Sequence, residues 1–321
     1  MAKQKQMGEQ MELVANPQPI PEVQIQKSIS PNQQAIQTFV NQIGLYEKKV
    51  LPMLLEKHGI HPSQFVQIVI SELKKNEKLL QAFIQNPSSM YASILTGAEI
   101  GLMPSELIGE FYLIPRNMKQ VDGSYKMSVT PLIGYKGLVS ILLRSGDITK
   151  VHAEIVYDGD EFAPIYGLEP NIIHKPNFDV SRSADKIKFA YAVAKMRNGE
   201  YQFSVMTRAE IESVRNLSKF PNDLYFNDKM GINRWMEKKC ALVQLSKMLP
   251  KDYYSKKAIS MDSMLDGGAM LTLDENNQVK IIDNVINKPN SKFRNIYGTL
   301  NNINNSELPN SSQDVNVDTE S

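Results

Sequence analysis

Apolar residues recur three and four positions apart through the first part of the chain, which is the spacing of one helix face. The pattern begins near Asn32. A second helix is predicted to start at Pro62, because proline favours the first helical turn, and a third to run from Pro87 towards Gly101. Each of these helices has one apolar face, so residues 33–105 are expected to form a helical lobe that buries those faces.

After residue 105 the apolar period changes to the alternation typical of strands. Asp122-Gly123 lies in a polar span that predicts a hairpin loop of more than two residues, and Asn198-Gly199 predicts a tight hairpin turn. The predicted strands lie at residues 110–115, 125–130, 150–157, 188–196 and 201–205.

Two further helices are predicted after the strands. Thr207 and Glu210 form a capping box in front of a helix at 208–217. A longer helix runs from about 232 to 249 and is stopped by Pro250. Helices combined with antiparallel hairpins predict an α+β fold, in which a helical N-terminal lobe packs on a mixed core.

A short helix is predicted between Gly134 and Gly146, and the second glycine can end it as a left-handed cap. Its apolar residues fall on one side. On the other side Lys136, Ser140 and Arg144 follow one another at four-residue intervals. A charged stripe on an amphipathic helix is often only its solvated face, so phosphate contact and simple solvation are both open interpretations.

The long helix places Lys238 inside its apolar face and Lys239 on the border of that face, when residues are set at 100° intervals. A lysine is rarely buried without a partner. One interpretation is a lysine whose ammonium group extends past the apolar face to water. The other is a groove in which Arg234, Lys238 and Lys239 face phosphates.

The composition, 42% hydrophobic over 321 residues, is that of a globular protein with one or two domains. No apolar run approaches the roughly 20 residues of a membrane span, and the N-terminus lacks a signal-peptide pattern. The sequence therefore predicts a soluble cytoplasmic protein. The single cysteine, Cys240, excludes an intrachain disulfide and, with four scattered histidines, disfavours a structural zinc site.

Charge is distributed unevenly, although the formal net charge is only +1. Residues 110–259 carry 23 Lys/Arg and 17 Asp/Glu, which is 23 − 17 = +6. Residues 262–321 carry 4 and 9, which is 4 − 9 = −5. A basic middle followed by an acidic tail is typical of a polyanion binder. Residues 1–32 are expected to be a disordered arm, and residues 262–321 a largely disordered tail available for partner binding.

Basic residues are interleaved with aromatic residues through the basic middle region. Proteins that bind single-stranded nucleic acid combine basic side chains, which neutralise the phosphates, with aromatic rings, which stack on the bases. Aromatic residues in strands also belong to cores, and Tyr135 is expected to be a core anchor. The candidate DNA-binding residues are Arg116, Lys126, Lys136, Arg144, Lys195, Arg197, Arg208, Arg215, Arg234, Lys238 and Lys239.

Catalytic motifs are mostly absent. The sequence contains no P-loop, dinucleotide fingerprint, zinc-protease motif or nucleophile elbow, so no cofactor is predicted and ATP use has no support. Asp158, Asp160 and Glu161 form the best acidic cluster, which could hold Mg²⁺ for a nuclease or could be only a turn. His152 and His174 lie in strand-like stretches and are assigned structural roles.

Several short motifs occur in one order along residues 88–264. They are Tyr-Leu-Ile-Pro at 112–115, Leu-Ile-Gly-Tyr-Lys-Gly at 132–137, Arg-Ser-Gly at 144–146, Val-Tyr-Asp-Gly-Asp-Glu-Phe at 156–162, Tyr-Ala-Val-Ala at 191–194, Val-Met-Thr-Arg at 205–208, Leu-Ser-Lys at 217–219, Trp-Met-Glu-Lys-Lys at 235–239 and Ala-Ile-Ser-Met-Asp at 258–262. Their order and spacing resemble the RecT-type phage single-strand annealing proteins. Lys136 stands where these relatives often have arginine, which keeps the charge but loses the bidentate fork.

The resemblance implies an ATP-independent protein that coats single-stranded DNA, anneals it to a complementary strand and holds the annealed duplex. It implies a homo-oligomer, either a ring or a helical filament, with DNA in a basic groove. Residues 33–105 would supply subunit contacts and residues 106–261 the DNA-binding core. The implied partners are a phage 5′-to-3′ exonuclease and the host single-strand-binding protein, in the bacterial cytoplasm. Two alternatives remain: a Mg²⁺-dependent nuclease of the same recombination pathway, and a structural phage protein whose basic face binds an acidic protein.

Overall fold

The computed structural model describes residues 30–120, 122–218 and 234–282. The α-helices in these residues are α1 Pro31–Lys49, α2 Leu51–Leu55, α3 Pro62–Lys75, α4 Glu77–Gln85, α5 Pro87–Ile100, α6 Tyr135–Arg144, α7 Arg208–Leu217, α8 Trp235–Ser246 and α9 Tyr253–Asp266. The strands are β1 Phe111–Lys119, β2 Tyr125–Ile133, β3 Ile148–Tyr157, β4 Glu161–Ile165, β5 Asn171–Lys175, β6 Ile187–Met196, β7 Tyr201–Thr207, β8 Met270–Leu273 and β9 Val279–Ile282. All pairings between these strands are antiparallel, so the predicted α+β class is confirmed.

Helices α1 to α5 form the N-terminal part of the structure, and several of them start at polar caps. Ser30 and Gln33 make a capping box at the start of α1. Asn76 and Asn86 cap α4 and α5 by accepting backbone N–H bonds. Helix α5 is buried around most of its circumference and packs against α2, α4 and β2. It is therefore the central helix of this region, as expected for a helix that is apolar on all sides.

One hydrophobic core extends from these helices into the strands. It includes Phe39 on α1, Phe111 on β1 and Leu242 on α8. The β1–β2 hairpin lies on α4 and α5, where the Val129 N–H donates to Ser89 Oγ at 2.9 Å. The change of period at residue 105 predicts a boundary, but the core is continuous across it.

Strands β3, β6 and β7 form a sheet in that order. One face carries the small residues Ala153, Ala192 and Ser204, which lie in register. Helix α8 packs on this face, and Ser204 Oγ donates to the Ala241 carbonyl at 2.9 Å. Small side chains on the strands let the helix approach closely, so α8 is fixed against the sheet.

The β4–β5 hairpin covers the other face of this sheet. Phe162 on β4 packs against Phe189 and Tyr191 of β6, with ring centroids 5.3 and 5.5 Å apart. His174 on β5 contacts Tyr191 through its ring and the tyrosine hydroxyl. His174 therefore belongs to the packing of this hairpin, consistent with the structural role predicted for it.

The C-terminal part of the described chain differs from the sequence prediction. The acidic tail is predicted to begin at residue 262, but α9 continues to Asp266 and the β8–β9 hairpin follows. Leu271 is completely buried, and the Leu273 N–H donates to Ser88 Oγ on α5 at 2.8 Å. The predicted boundary is therefore too early. Strands of four residues around an Asn-rich turn have too short an apolar pattern to be recognised, and their burial depends on α5. Residues 1–29 and 283–321, where most of the arm and tail predictions fall, lie outside the described residues.

Several local predictions are confirmed. The capping box of Thr207 and Glu210 is present, and Asn198-Gly199 connects β6 to β7. Gly101 and Gly146 have φ values of +67° and +79°, the left-handed conformation that ends a helix. Within the described ranges, none of the helices combines the length and apolar character required to span a membrane.

Candidate nucleic-acid interface

The N-terminal ends of α6 and α8 meet at the molecular surface. The rings of Tyr135 and Trp235, the first residues of these helices, lie 5.3 Å apart between centroids at an angle of 34°. The Tyr135 hydroxyl accepts a 2.8 Å hydrogen bond from the Ala153 N–H of β3, which anchors the ring as predicted. Trp235 remains 40% exposed. We call Tyr135, Lys136, Arg234, Trp235 and Lys238 the α8 N-terminal surface.

Two glycines hold α6 against the start of β1. A Cβ atom at Gly134 would lie 2.3 Å from the Gly109 carbonyl oxygen, and one at Gly137 would lie 2.2 Å from the Glu110 carbonyl oxygen. Only glycine permits this approach. The exposed Lys136 side chain lies beside Gly109, next in sequence to Tyr135.

Lys238 lies one turn along α8 from Trp235. Its ammonium group is 2.9 Å from Glu154 Oε2 on the edge strand β3 and 5.8 Å from the centroid of the Trp235 ring. The side chain is only 18% exposed, but its charge is directed across the edge of the sheet. Of the two interpretations of Lys238, the structure shows an ammonium group that extends past the apolar face of α8 and pairs with Glu154.

Three arginines surround a small cavity between α7 and α8. Arg208, Arg215 and Arg234 line it together with Glu212 and Glu237. Glu212 pairs with both Arg208 and Arg215, and Arg208 also donates to the Ala184 carbonyl at 2.6 Å. Arg234 has a left-handed backbone, with φ +48°, at the cap position of α8. This cavity continues the α8 N-terminal surface on the side of α7.

The comparisons with known proteins identify the family. A model of the RecT family matches residues 63–280, which include α8 and strands β1 to β8. The chain belongs to the RecT family. Protein RecT of Escherichia coli strain K12 is 33% identical over 227 residues, covering 70% of this chain and 79% of that protein. Membership places this chain among the proteins of DNA recombination.

Two of the candidate DNA-binding residues of this RecT-family chain are buried. Arg116 is 5% exposed and Lys239 is 3% exposed. Lys239 donates to Asp262 on α9 at 2.8 Å. Burial alone would lower the pKa of Lys239, but Asp262, with a further contribution from Asp266, raises it above its ordinary value. Neither side chain reaches the surface of this structure, which argues against the predicted DNA contact of Arg116 and Lys239.

The predicted stripe on α6 is divided between different partners. Ser140 Oγ donates to Glu110 at 2.6 Å. Arg144 donates to the carbonyl oxygens of Ile100 and Gly101, at 2.9 and 3.1 Å. These carbonyls end helix α5, so the arginine complements the negative end of that helix. Lys136 alone of the stripe remains with the aromatic pair at the α8 N-terminal surface.

The remaining candidates lie at the ends of hairpins. Arg197 Nε donates to the Gly146 carbonyl at 2.7 Å, which places it near the C-terminal end of α6. Lys195 Nζ lies 5.5 Å from the centroid of the Tyr201 ring across the β6–β7 turn. Lys126 is exposed on β2 near the β1–β2 turn. None of these three belongs to the α8 N-terminal surface.

The carboxylates of the acidic cluster at the end of β3 are held by hydrogen bonds and ion pairs and do not form a metal site. The Asp160 side chain is completely buried. Its two carboxylate oxygens accept hydrogen bonds from the Tyr157 and Asn177 N–H groups, His174 and Arg182. Burial opposes ionisation, but these donors hold the pKa of Asp160 below its ordinary value. The hypothesis of a nuclease metal site is therefore wrong for these residues: Asp158 pairs instead with Lys188, and Glu161 with Lys175. Nowhere in the described ranges do three or more His, Cys, Asp or Glu residues form a group that could hold a metal ion.

Sequence patterns alone did not reveal the basic residues around the start of α9, because this helix was not predicted. Asp252 caps α9 by accepting from the Ser255 N–H at 2.8 Å. The signal was present as a capping aspartate followed by Ala258, Met261 and Leu265 at helical spacing, all of which are buried. Pro250 indicated only the end of the preceding helix.

Proposed function

We propose that this RecT-family chain binds single-stranded DNA and anneals it to a complementary strand without ATP hydrolysis, through the α8 N-terminal surface. The observation that carries the proposal is the family match over residues 63–280. The geometry supports the location, since the matched region contains an exposed ring, adjacent cations and two converging helix N-termini.

The physical requirements of strand annealing are met by these groups. The exposed face of Trp235 offers a stacking surface for any base, which suits a protein that must accept any sequence. Lys136 and Lys238 neutralise phosphates, and each neutralised phosphate releases counterions. The N-terminal ends of α6 and α8 add partial positive charge from unpaired backbone N–H groups.

Ion pairs set how tightly DNA is held. Lys238 is paired with Glu154, and Arg208 and Arg215 are paired with Glu212. A phosphate that binds here replaces a carboxylate, so each interaction contributes less than one with an unpaired cation. Weak binding by each subunit suits annealing, because the strand must stay mobile enough to search for its complement. Many subunits along one strand supply the total affinity.

We further propose a homo-oligomer, a ring or a helical filament, that acts with a phage 5′-to-3′ exonuclease and the host single-strand-binding protein. Exposed apolar side chains on the N-terminal helices support subunit contact through this region. Leu45 on α1 is 60% exposed, Met53 on α2 is 78% exposed, and Ile84 on α4 is 44% exposed. Burial of these residues between neighbours would remove apolar surface from water.

The test uses the fact that Trp235 is the only tryptophan of the chain. We expect oligonucleotide binding to quench its fluorescence, and complementary strands to anneal without any nucleotide triphosphate. In the variant Lys136→Gln/Lys238→Gln, the slope of the salt dependence of binding should fall by about 0.7 to 1.4, because Lys136 contributes about 0.7 and Lys238, which is paired with Glu154, contributes at most the same. The matched control is Lys175→Gln/Lys188→Gln, which removes two exposed, ion-paired lysines elsewhere. Absence of annealing in the unmodified protein would refute the function, and equal behaviour of the two variants would refute the site.

A further inference from the structure

A second group of cations lies where α8 ends and α9 begins. Lys247 directly follows α8, Lys251 lies in the connection, and Lys256 lies in the first turn of α9. Across the described ranges, no carboxylate is within ion-pair distance of these three lysines, and the Lys247 ammonium group donates to Gln244 Oε1 at 2.9 Å. We call these lysines together with Tyr253 the α9 surface. It differs from the α8 N-terminal surface, where Lys238 is neutralised by Glu154.

The three lysines are close enough to repel one another. The pKa of Lys251 is lowered, first by partial burial and then by the charges of Lys256 and Lys247. Residues 247–256 carry three lysines and the single carboxylate of Asp252, so a local positive potential remains. Such a potential raises the rate at which a polyanion is encountered.

The aromatic residues at the same place favour nucleic acid over an acidic peptide. Tyr253 is 64% exposed, and its ring packs edge-on against Tyr254 with centroids 5.4 Å apart. Tyr254 is in turn fixed by Lys57, whose ammonium group lies 4.0 Å from the ring centroid and 2.9 Å from the hydroxyl. Tyr253 thus rests on a fixed neighbour and stays largely exposed, with the Lys257 ammonium group 6.0 Å from its ring centroid. An exposed ring beside cations can serve as a base-stacking platform.

The two surfaces lie at opposite ends of the same pair of helices. Tyr135 and Trp235 join the N-terminal ends of α6 and α8. At the other end, Ser255 of α9 bonds to the Ile141 carbonyl near the end of α6, at 3.5 Å. The 12 residues of α8 span about 18 Å, so a strand on one surface leaves the other accessible.

We propose that the α9 surface captures the incoming second DNA strand while the first strand occupies the α8 N-terminal surface. The inference rests on the proposed annealing function and adds a separate site for the second substrate. The α9 surface lies away from the first strand, so its charges govern how fast a second strand is acquired and have little effect on how tightly the first is held.

The test compares Lys247→Gln/Lys251→Gln/Lys256→Gln with the control Lys175→Gln/Lys188→Gln/Lys280→Gln. Both remove three positive charges, and the control lysines are exposed on β5, β6 and β9. Quenching of Trp235 reports first-strand affinity, and a fluorescent pair of complementary oligonucleotides reports the annealing rate. We expect first-strand affinity within about twofold of the unmodified protein, and an annealing rate at low salt reduced about tenfold or more in the first variant only.

A photochemical arm locates the second strand directly. Oligonucleotides that carry 5-iodouracil should crosslink to Tyr253 when they are added as the second strand, and should not do so when they are bound first. Crosslinking from the first strand alone, or an equal loss of first-strand affinity and annealing, would overturn the assignment. So would annealing equal to that of the control variant.

Two other results have separate meanings. If the first variant anneals faster than the unmodified protein, the surface holds an anionic segment of the protein itself, and the proposal is overturned. Such a segment exists, because residues 297–321 carry four carboxylates and no lysine or arginine. If the unmodified protein neither binds nor anneals DNA, the proposed function fails as a whole. If only the second-strand site is wrong, the unmodified protein still binds and anneals DNA.

Discussion

Asp262→Asn tests the buried ion pair that joins α8 to α9. Lys239 is 3% exposed, Asp262 is 5% exposed, and their charged atoms are 2.8 Å apart. Neutralising Asp262 leaves a buried ammonium group whose next acidic neighbour is Asp266. Loss of one partner of a buried pair destabilises by about 3–5 kcal/mol. Since Asp266 compensates in part, we expect the lower end, about 3 kcal/mol.

Urea unfolding followed by Trp235 fluorescence measures this loss. A decrease of about 3 kcal/mol corresponds to a midpoint lower by about 1 M urea, for an m-value of about 3 kcal/mol/M. The comparison variant is Lys239→Met/Asp262→Leu, which replaces both charges by apolar groups and should restore most of the stability. A loss below about 1 kcal/mol for Asp262→Asn would refute the reasoning, because it would mean that Lys239 is hydrated.

The same double variant tests the sequence-based assignment of Lys239 to DNA contact. With the fold intact and Lys239 absent, oligonucleotide affinity should equal that of the unmodified protein, since the buried ammonium group cannot reach a phosphate. A salt slope lower by about 0.7 would instead show that this lysine contacts DNA.

Three further outcomes are expected. Asp160→Asn should lower the free energy of unfolding by about 2 kcal/mol and expose the loop after β5 to proteolysis. The reason is that one amide oxygen cannot replace two carboxylate oxygens that accept four hydrogen bonds. Unchanged proteolysis would contradict this. Gly137→Ala should lower the free energy of unfolding by about 2 kcal/mol, because the added Cβ would push α6 away from β1. The control Gly44→Ala, which has open space around it, should be neutral or stabilising by up to about 1 kcal/mol. Equal melting temperatures for the two variants would contradict this. Burial raises the pKa of Asp266 to about 6 from 3.8, so the folded state keeps this proton to higher pH and stability falls as pH rises from about 4 to 6. Asp266→Asn should remove that fall in melting temperature, and an unchanged pH profile would refute it.

Local signals in the sequence predicted the elements that depend on neighbouring residues. Asn198-Gly199 determined the β6–β7 hairpin, and the Thr207 and Glu210 box determined the start of α7. Gly146 ends α6 in the expected left-handed conformation. The ordered motifs along residues 88–264 were sufficient for the RecT-family assignment, which the family match over 63–280 confirms.

The candidate site could be predicted only in part. A helical wheel represents a single helix and leaves out the elements that pack against it. The wheel places Lys238 inside the apolar face and Lys239 at its border. In the structure Lys239 is the buried residue, because Asp262 of α9 approaches that border. Arg144 likewise leaves the predicted stripe to cap the end of α5.

The sequence by itself therefore determined the α+β class, the family and the helices and hairpins whose signals are local. Only the tertiary structure decided which cations remain at the surface. The reason is physical: a charge is buried or exposed according to whether a carboxylate or a helix end from a distant part of the chain compensates its desolvation. The same tertiary packing placed Trp235 against Tyr135 and brought the lysines of the α9 surface together.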